Sequence, residues 1–213
     1  MTDTAADTRF WDRAARKYAT DPIKDMAGYE RTVERTRNLL RATDSVLELG
    51  CGTGTTALRL APSVACIVAS DVSAEMITIA REKAAVQAIT NIAFEVATPD
   101  TWPWPEQTFD AVLAFNVLHL IVDRASTYAR VHRLLRPGGL FITKTPCLGE
   151  MNPLIRLALP VARAIGKAPT VKVFRAKDIE QEIAAAGFTI VERARHGTAR
   201  KDPRIFIFAQ KQD

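Results

Sequence analysis

Residues Val46-Leu47-Glu48-Leu49-Gly50-Cys51-Gly52-Thr53-Gly54 put an apolar stretch of strand length, an acid and three alternating glycines directly before a helix pattern. Glycines there let the chain turn sharply at the carboxyl end of a strand, where no Cβ obstructs a ligand lying against the main chain. The order strand, glycine turn, helix is the opening unit of a doubly wound α/β sheet, with a nucleotide-type cofactor at the turn. Spacing narrows the cofactor. The dinucleotide fingerprint needs its third glycine five positions after the first; Thr55 stands there, and Gly54 comes four after Gly50. The NAD pattern is absent.

What stands instead, Glu48-x-Gly50-x-Gly52-x-Gly54, resembles motif I of the class I S-adenosylmethionine (SAM) dependent methyltransferases, whose loop holds the methionyl and ribose parts of SAM. The next apolar strand, Ile67-Val68-Ala69-Ser70, ends in Asp71, 21 residues after Gly50, where a doubly wound fold presents an acid to a ribose. A carboxylate accepts two hydrogen bonds in a geometry that matches a vicinal diol. The competing reading of Asp71 is an acid at a helix N-terminus, because Ser73-Ala74-Glu75-Met76 opens a helix with capping character. Thr108-Phe109-Asp110-Ala111-Val112-Leu113-Ala114-Phe115-Asn116 resembles the family's fourth strand, and Arg136-Pro137-Gly138-Gly139 the turn before its fifth.

Carried over residue by residue, the resemblance implies SAM as cofactor, held by Glu48, Gly50, Cys51, Gly52, Gly54 and Asp71, with Val72 and Met76 against the adenine. Core filling is an equal alternative for Met76. Asn116 would hold the methionyl amine through its carbonyl. Family members carry an acid eleven positions before Phe109; here Thr98 stands there and offers a hydroxyl and an amide but no charge, while Asp100 reads as a solvated loop acid. The motifs cover about residues 45–145.

Around them runs an alternating pattern: helices near 29–41, 54–61, 73–88, 123–135 and 177–186, and strands near 45–49, 66–70, 92–96, 109–115, 139–145, 188–194 and 204–210. Gly187 stops the last helix. The final two strands have no helix between them. The expected fold is therefore α/β, Rossmann-like and doubly wound, a mainly parallel seven-stranded sheet with a C-terminal antiparallel hairpin, in one domain over residues 1–213.

Two segments fall outside this scaffold. Phe10-Trp11-Asp12-Arg13-Ala14-Ala15-Arg16-Lys17-Tyr18 puts Phe10, Trp11, Ala14 and Tyr18 at helical spacing, and the cover helices at about 8–41 resemble the family's lid over SAM, where an aromatic hydroxyl near Tyr18 reaches the cofactor. Core packing of that face is an equal alternative, and Tyr29 is a weaker candidate of the same kind. The second is an inserted amphipathic basic stretch, about 149–170, with apolar positions 154, 155, 158, 161, 162 and 165 on one face and Arg156 and Arg163 on another, bent near Pro160. It reads first as a lid over an apolar substrate, then as a membrane-surface helix beside anionic lipid, then as an ordinary packed helix.

Charge follows the same division. Residues 42–150 hold 8 basic and 11 acidic groups, and residues 151–213 hold 12 and 6. An acidic core suits a cationic sulfonium, and a basic tail an anionic substrate or surface. Dense basic patches with interleaved aromatics are lacking, which disfavours nucleic acid; Arg193, Arg195, Arg200, Lys201 and Arg204 form a mixed hairpin cluster. The start Met1-Thr2-Asp3-Thr4 is no secretory signal, no stretch spans a bilayer, and Cys51, Cys66 and Cys147 have no metal-ligand spacing; a cytoplasmic enzyme without a metal is expected. Cys147 is a secondary candidate for a substrate contact.

Methyl transfer from SAM needs mainly a dry site and an acceptor in line. His119, in Asn116-Val117-Leu118-His119 just past the fourth strand, is the candidate to deprotonate or orient the acceptor, against a structural histidine bonded to a carbonyl. That tetrapeptide also replaces the Asn-Pro-Pro-Tyr type motif of nitrogen methylation. The expected function is methyl transfer to a small-molecule or lipid acceptor, in the methyltransferase domain 11 group with the ubiquinone and menaquinone enzymes. Phospholipid-headgroup N-methylation and a SAM-binding regulator without turnover are the alternatives.

Overall fold

Apolar residues alternate along the central strands, and the two alternate sets are buried against different helix layers. In a computed structural model describing residues 4–151, 158–160, 162–163 and 168–212, the elements are α1 (Thr4–Thr20), α2 (Met26–Arg37), β1 (Ser45–Leu49), α3 (Thr55–Leu60), β2 (Cys66–Asp71), α4 (Ala74–Val86), β3 (Ile92–Val96), β4 (Phe109–Phe115), α5 (Arg124–Leu134), β5 (Leu135–Pro146), α6 (Ala176–Ala185), β6 (Phe188–Ala194) and β7 (Arg204–Lys211). Leu47, Leu49, Val112, Phe141 and Ile207 pack with Tyr128 and Val131 of α5 and Ile179 and Ile183 of α6. On the opposite face Val46, Leu113, Ile142 and Phe206 pack with Val33 of α2, Leu58 and Leu60 of α3 and Ile77 and Ala80 of α4. Period-two burial on both faces is what a sheet between two helix layers demands.

Strand order is β3-β2-β1-β4-β5-β7-β6. Strands β1 to β5 pair in parallel, and β7 runs antiparallel between β5 and β6. The expected seven-stranded sheet and terminal hairpin are therefore present. The order reverses between β1 and β4, and such a switch point opens a crevice at the strands' carboxyl ends.

Several boundaries differ from the sequence pattern, each for a local reason. Helix α2 begins at Met26 rather than near 29 because the Asp25 carboxylate accepts the Gly28 amide at 3.0 Å. Strand β5 starts at Leu135 rather than 139: Leu135 pairs with Phe109, and a register shift absorbs the Arg136–Gly139 turn. Ser73 caps α4 as expected, accepting the Met76 amide at 3.1 Å.

The larger correction concerns α1. It runs from Thr4 to Thr20, and the face it packs on α4 is Trp11, Ala15 and Ala19 against Met76 and Ile79, with Ala15 fully buried. Of the expected stripe of Phe10, Trp11, Ala14 and Tyr18, Trp11 alone lies in this contact among the described residues. Asp12 sets this orientation, because its carboxylate accepts the Ser73 hydroxyl at 2.6 Å and the Glu75 amide at 3.3 Å. Tyr18 is thereby left 52% exposed. Of the insertion expected over 149–170, residues 152–157, 161 and 164–167 lie outside the described residues, Leu154, Arg156 and Leu157 among them.

Candidate cofactor and acceptor site

At the carboxyl end of β1 the glycines fall into two kinds. A Cβ on Gly50 (φ +61°) would stand 2.5 Å from Val117 Cγ2, and one on Gly54 (φ +74°) 2.8 Å from the Phe94 ring and 2.9 Å from the Ala80 Cβ. Both are required by packing. Gly52 (φ +54°) differs: the nearest neighbour of a Cβ there is Tyr18 Cε1, 3.7 Å away. The loop surface at Gly52 thus faces free space roofed by the Tyr18 ring, which is where a ligand can reach the main chain.

Asp71 closes the side of that space. Its two oxygens accept the amides of Gly52 and Ser73, each at 2.9 Å. Each oxygen retains a lone pair, so two acceptor sites remain for a diol. Burial pushes this carboxyl up from its ordinary range, while the amides of Ser73, Gly52 and Val72 pull it down. The same carboxylate anchors the turn into α4, the helix-start reading of Asp71.

Glu48 lies beneath the loop, 2% exposed, with Oε2 buried and without a partner. Burial, with the nearby charge of Asp71, raises its carboxyl to about 8. An orphaned buried oxygen under a glycine turn fits a cofactor that brings cationic and N–H groups. Burial, and then the charges of Asp71 and Glu48, raise the Tyr18 hydroxyl from its ordinary value. SAM fits these residues: a diol acceptor in Asp71, acidic neighbours for a cation in Glu48 and Asp71, and a bare main chain at Gly52.

The other expected contacts are less uniform. Val72 is half-buried beside Asp71. Met76 is 2% exposed and fills the α1–α4 contact, the core-filling alternative. The Thr98 hydroxyl lies 3.2 Å from that of Thr101 in a local turn. Cys51 packs beside the second core cluster, and burial raises its thiol well above the ordinary value, so it is a filler of the loop and no nucleophile. Cys147 is fully buried in the first cluster with its thiol pushed up to about 11, which removes it as a substrate contact. Tyr29 is turned to Thr56, 3.4 Å away, with Arg59 over its ring.

Asn116 ends β4 in the left-handed region (φ +53°), its amide donating to the Lys144 carbonyl at 2.7 Å and its side chain exposed. The turn that follows carries His119. Its Nδ1 is buried without a partner, and burial lowers the imidazole to about 4, so the ring is neutral at neutral pH. No carbonyl bonds Nδ1; the His119 main-chain carbonyl is instead held by the Lys172 amide at 2.7 Å.

That last contact belongs to an arrangement the sequence did not disclose. The segment 170–174 is tied to three parts of the rim: Thr170 to Asp7 of α1 through its amide (2.9 Å) and hydroxyl (3.1 Å), Lys172 to His119, and Phe174, by its carbonyl, to the Gly149 amide at 2.8 Å. Arg124, bidentate to Glu182 (2.6 and 2.8 Å), stacks on the Phe174 ring at 4.6 Å and fixes it. Sequence reasoning also missed Lys144, buried on β5 and bonded to Thr32 Oγ1 at 2.7 Å, with His196 on the same hydroxyl at 3.0 Å. The alternation of β5 would have marked Lys144 as inward-facing. Arg193, Arg195 and Arg204 are paired with Glu180, Glu150 and Asp25.

The methyltransferase domain family matches residues 46–139. The chain is 31% identical over 127 residues to the uncharacterized methyltransferase YcgJ of Bacillus subtilis, 56% of this chain and 50% of YcgJ, and that protein's crystal structure superposes with a TM-score of 0.70 at 19% identity, over 86% of this chain and 99% of that one. It is 29% identical over 201 residues to the demethylmenaquinone methyltransferase of Mycobacterium marinum, 85% of this chain and 84% of that protein. An S-adenosylmethionine dependent methyltransferase from Mesorhizobium loti matches with a TM-score of 0.67 at 21% identity, over 84% of this chain and 96% of that one. The chain spans about half or less of the length of several curated relatives it matches, YcgJ included. The glycine turn at a switch point, the seven-stranded order and these likenesses agree: the fold is that of the SAM-dependent methyltransferases, with a methyltransferase domain matched over residues 46–139.

Proposed function

We propose that the protein transfers the methyl group of SAM to a small acceptor with an apolar body, presented to the β4 end of the cleft beside His119. When bound, SAM supplies the electrophilic methyl and its own leaving group. The chain's part is to bind, to exclude water and to orient. Gly52, Asp71, Val72 and Glu48 hold the cofactor in this reading, with Asn116 at its methionyl end and Tyr18 above it.

The observation that carries the acceptor class is where the exposed apolar side chains lie. Among the described residues eight large hydrophobic side chains are exposed, and six of them, Tyr18, Ile23, Met26, Val96, Val122 and Val173, belong to segments that enter or leave the sheet at its carboxyl end. Exposed apolar side chains at the end of the sheet that carries the glycine turn are what an acceptor with an apolar body would meet there. A demethylmenaquinone methyltransferase among the relatives points to the same class. His119 serves as an orienting group: an imidazole near 4 is too weak a base to ionise an alcohol or phenol at neutral pH, but its free Nδ1 can hold an acceptor hydroxyl.

A methyl-labelled SAM assay over quinols, phenols, isoprenoids and amines, with phosphatidylethanolamine vesicles in parallel, tests this. Label in an apolar ring or isoprenoid compound is expected. Label only in the lipid headgroup would replace the reading with headgroup N-methylation. Tight SAM binding with no turnover on any acceptor would favour a regulator.

A further inference from the structure

Glu48 is placed where an ionised carboxylate lacks support. The titratable groups that face it are Asp71 from β2, Cys51 from the loop, Tyr18 from α1 and Tyr29 from α2, and none of them carries a positive charge. From α3 the Ala57 amide donates to it. One of its oxygens is buried without a partner directly under the cofactor turn. Two interacting carboxyls, one of them fully buried, cannot both be ionised cheaply. Asp71, holding two amides, is the one that keeps its charge; Glu48 keeps its proton.

We propose that SAM binding is coupled to loss of this proton: the cation entering the enclosure replaces it, so that Glu48 turns from a neutral acid into a carboxylate as the cofactor seats. The inference rests on SAM as the ligand of this loop. The balance is simple. The O–H bond of Glu48 breaks, its proton passes to solvent, and the electron pair stays on the carboxylate facing the cofactor; nothing is oxidised or reduced. The direction of the pH dependence follows from linkage, because a ligand that expels a proton binds more tightly as pH rises and levels off above the free protein's titration near 8. Glu48 would thereby reject neutral adenosine compounds, which offer no charge in exchange for the proton.

Calorimetry of the full chain decides it. SAM is titrated at pH 6.5, where its α-amino group stays protonated, in buffers of low and high ionisation enthalpy, and the dependence of heat on buffer gives the protons released. Close to one proton per SAM is expected, with affinity rising towards tenfold per pH unit between pH 6 and 7.5. Glu48→Gln should bind SAM with no proton released and a flat pH profile, and 5′-methylthioadenosine, which lacks the charge, should release none from the parent protein. Asp71→Asn, which removes the neighbouring charge but not the burial of Glu48, should release less than the parent. Proton-neutral SAM binding by the parent, or release undiminished in a folded Glu48→Gln, overturns the proposal while leaving the SAM reading intact. Absence of SAM binding by the parent would instead remove the reading on which it rests.

Discussion

The two halves of the cleft are built differently. On the cofactor side, around β1, β2 and α4, each functional atom belongs to a short strand–turn–helix unit and is locked by its own neighbours: Gly52 to Asp71, Asp71 to Ser73, Ser73 to Met76. On the acceptor side, past β4 and β5, the walls come from distant stretches tied across the sheet: Asp7 to Thr170, His119 to Lys172, Gly149 to Phe174. Local geometry determines the first half. The second depends on many long-range contacts at once, and so can change from one relative to another without disturbing the cofactor loop.

The sharpest way to break this contrast is at Gly50. An added Cβ meets Val117 at 2.5 Å in a backbone region L-residues avoid, so Gly50→Ala should cost about 3 kcal/mol or more by strain and overpacking together. Denaturant unfolding measures it. Gly52→Ala, with no neighbour closer than 3.7 Å, should cost only the strain and show its larger effect on SAM affinity; equal destabilisation by both would deny that the loop is open at Gly52.

Next in size is Asp71→Ala, which should weaken SAM by about 1.5 to 3 kcal/mol, the range of charged hydrogen bonds, in a protein that remains folded. Unchanged affinity would leave Asp71 only its role in fixing the turn.

His119 probes the other half. His119→Ala should lower turnover about tenfold, less than the ~10²-fold or more typical of a lost base, with SAM affinity unchanged. Its stability effect has a definite sign. The folded imidazole is lowered to about 4 against 6.5 unfolded, so the unfolded chain takes up the proton first and stability is lost as pH falls from about 6.5 towards 4. Acid melting curves of His119→Gln should be flatter over that window; a parent curve with no such slope would mean that the ring is not buried in solution.

The smallest effect expected is on vesicles. If the insertion is a lid, anionic vesicles bind negligibly, and Leu154→Asp or Leu157→Asp impairs turnover of an apolar acceptor. Strong binding that falls with salt would favour the membrane-surface alternative.

Much of the cofactor half could be read in advance, because three alternating glycines after an apolar run allow few conformations, and 21 residues carry the chain across one helix to the next parallel strand. The N-terminal helix was legible as a helix but not in its rotation. Helical spacing put Phe10 and Ala14 on one face with Trp11 and Tyr18, whereas hydrogen bonds donated to Asp12 by the start of α4 turned Ala15 inward. Hydrophobic periodicity cannot anticipate a polar contact 61 residues away. The ring of contacts at 170–174 has no pattern of its own for the same reason.

The sequence by itself determined the order of strands and helices, the glycine turn and the acid that follows it, since these depend on backbone freedom and on spacing along the chain. Only the tertiary structure decided that Tyr18 roofs the turn, that burial lowers the His119 imidazole, and that burial beside Asp71 raises the Glu48 carboxyl. Protonation and orientation are properties of surroundings: they follow from which side chains the fold brings within a few ångströms and how much water it removes, and neither quantity is written in the spacing of residues.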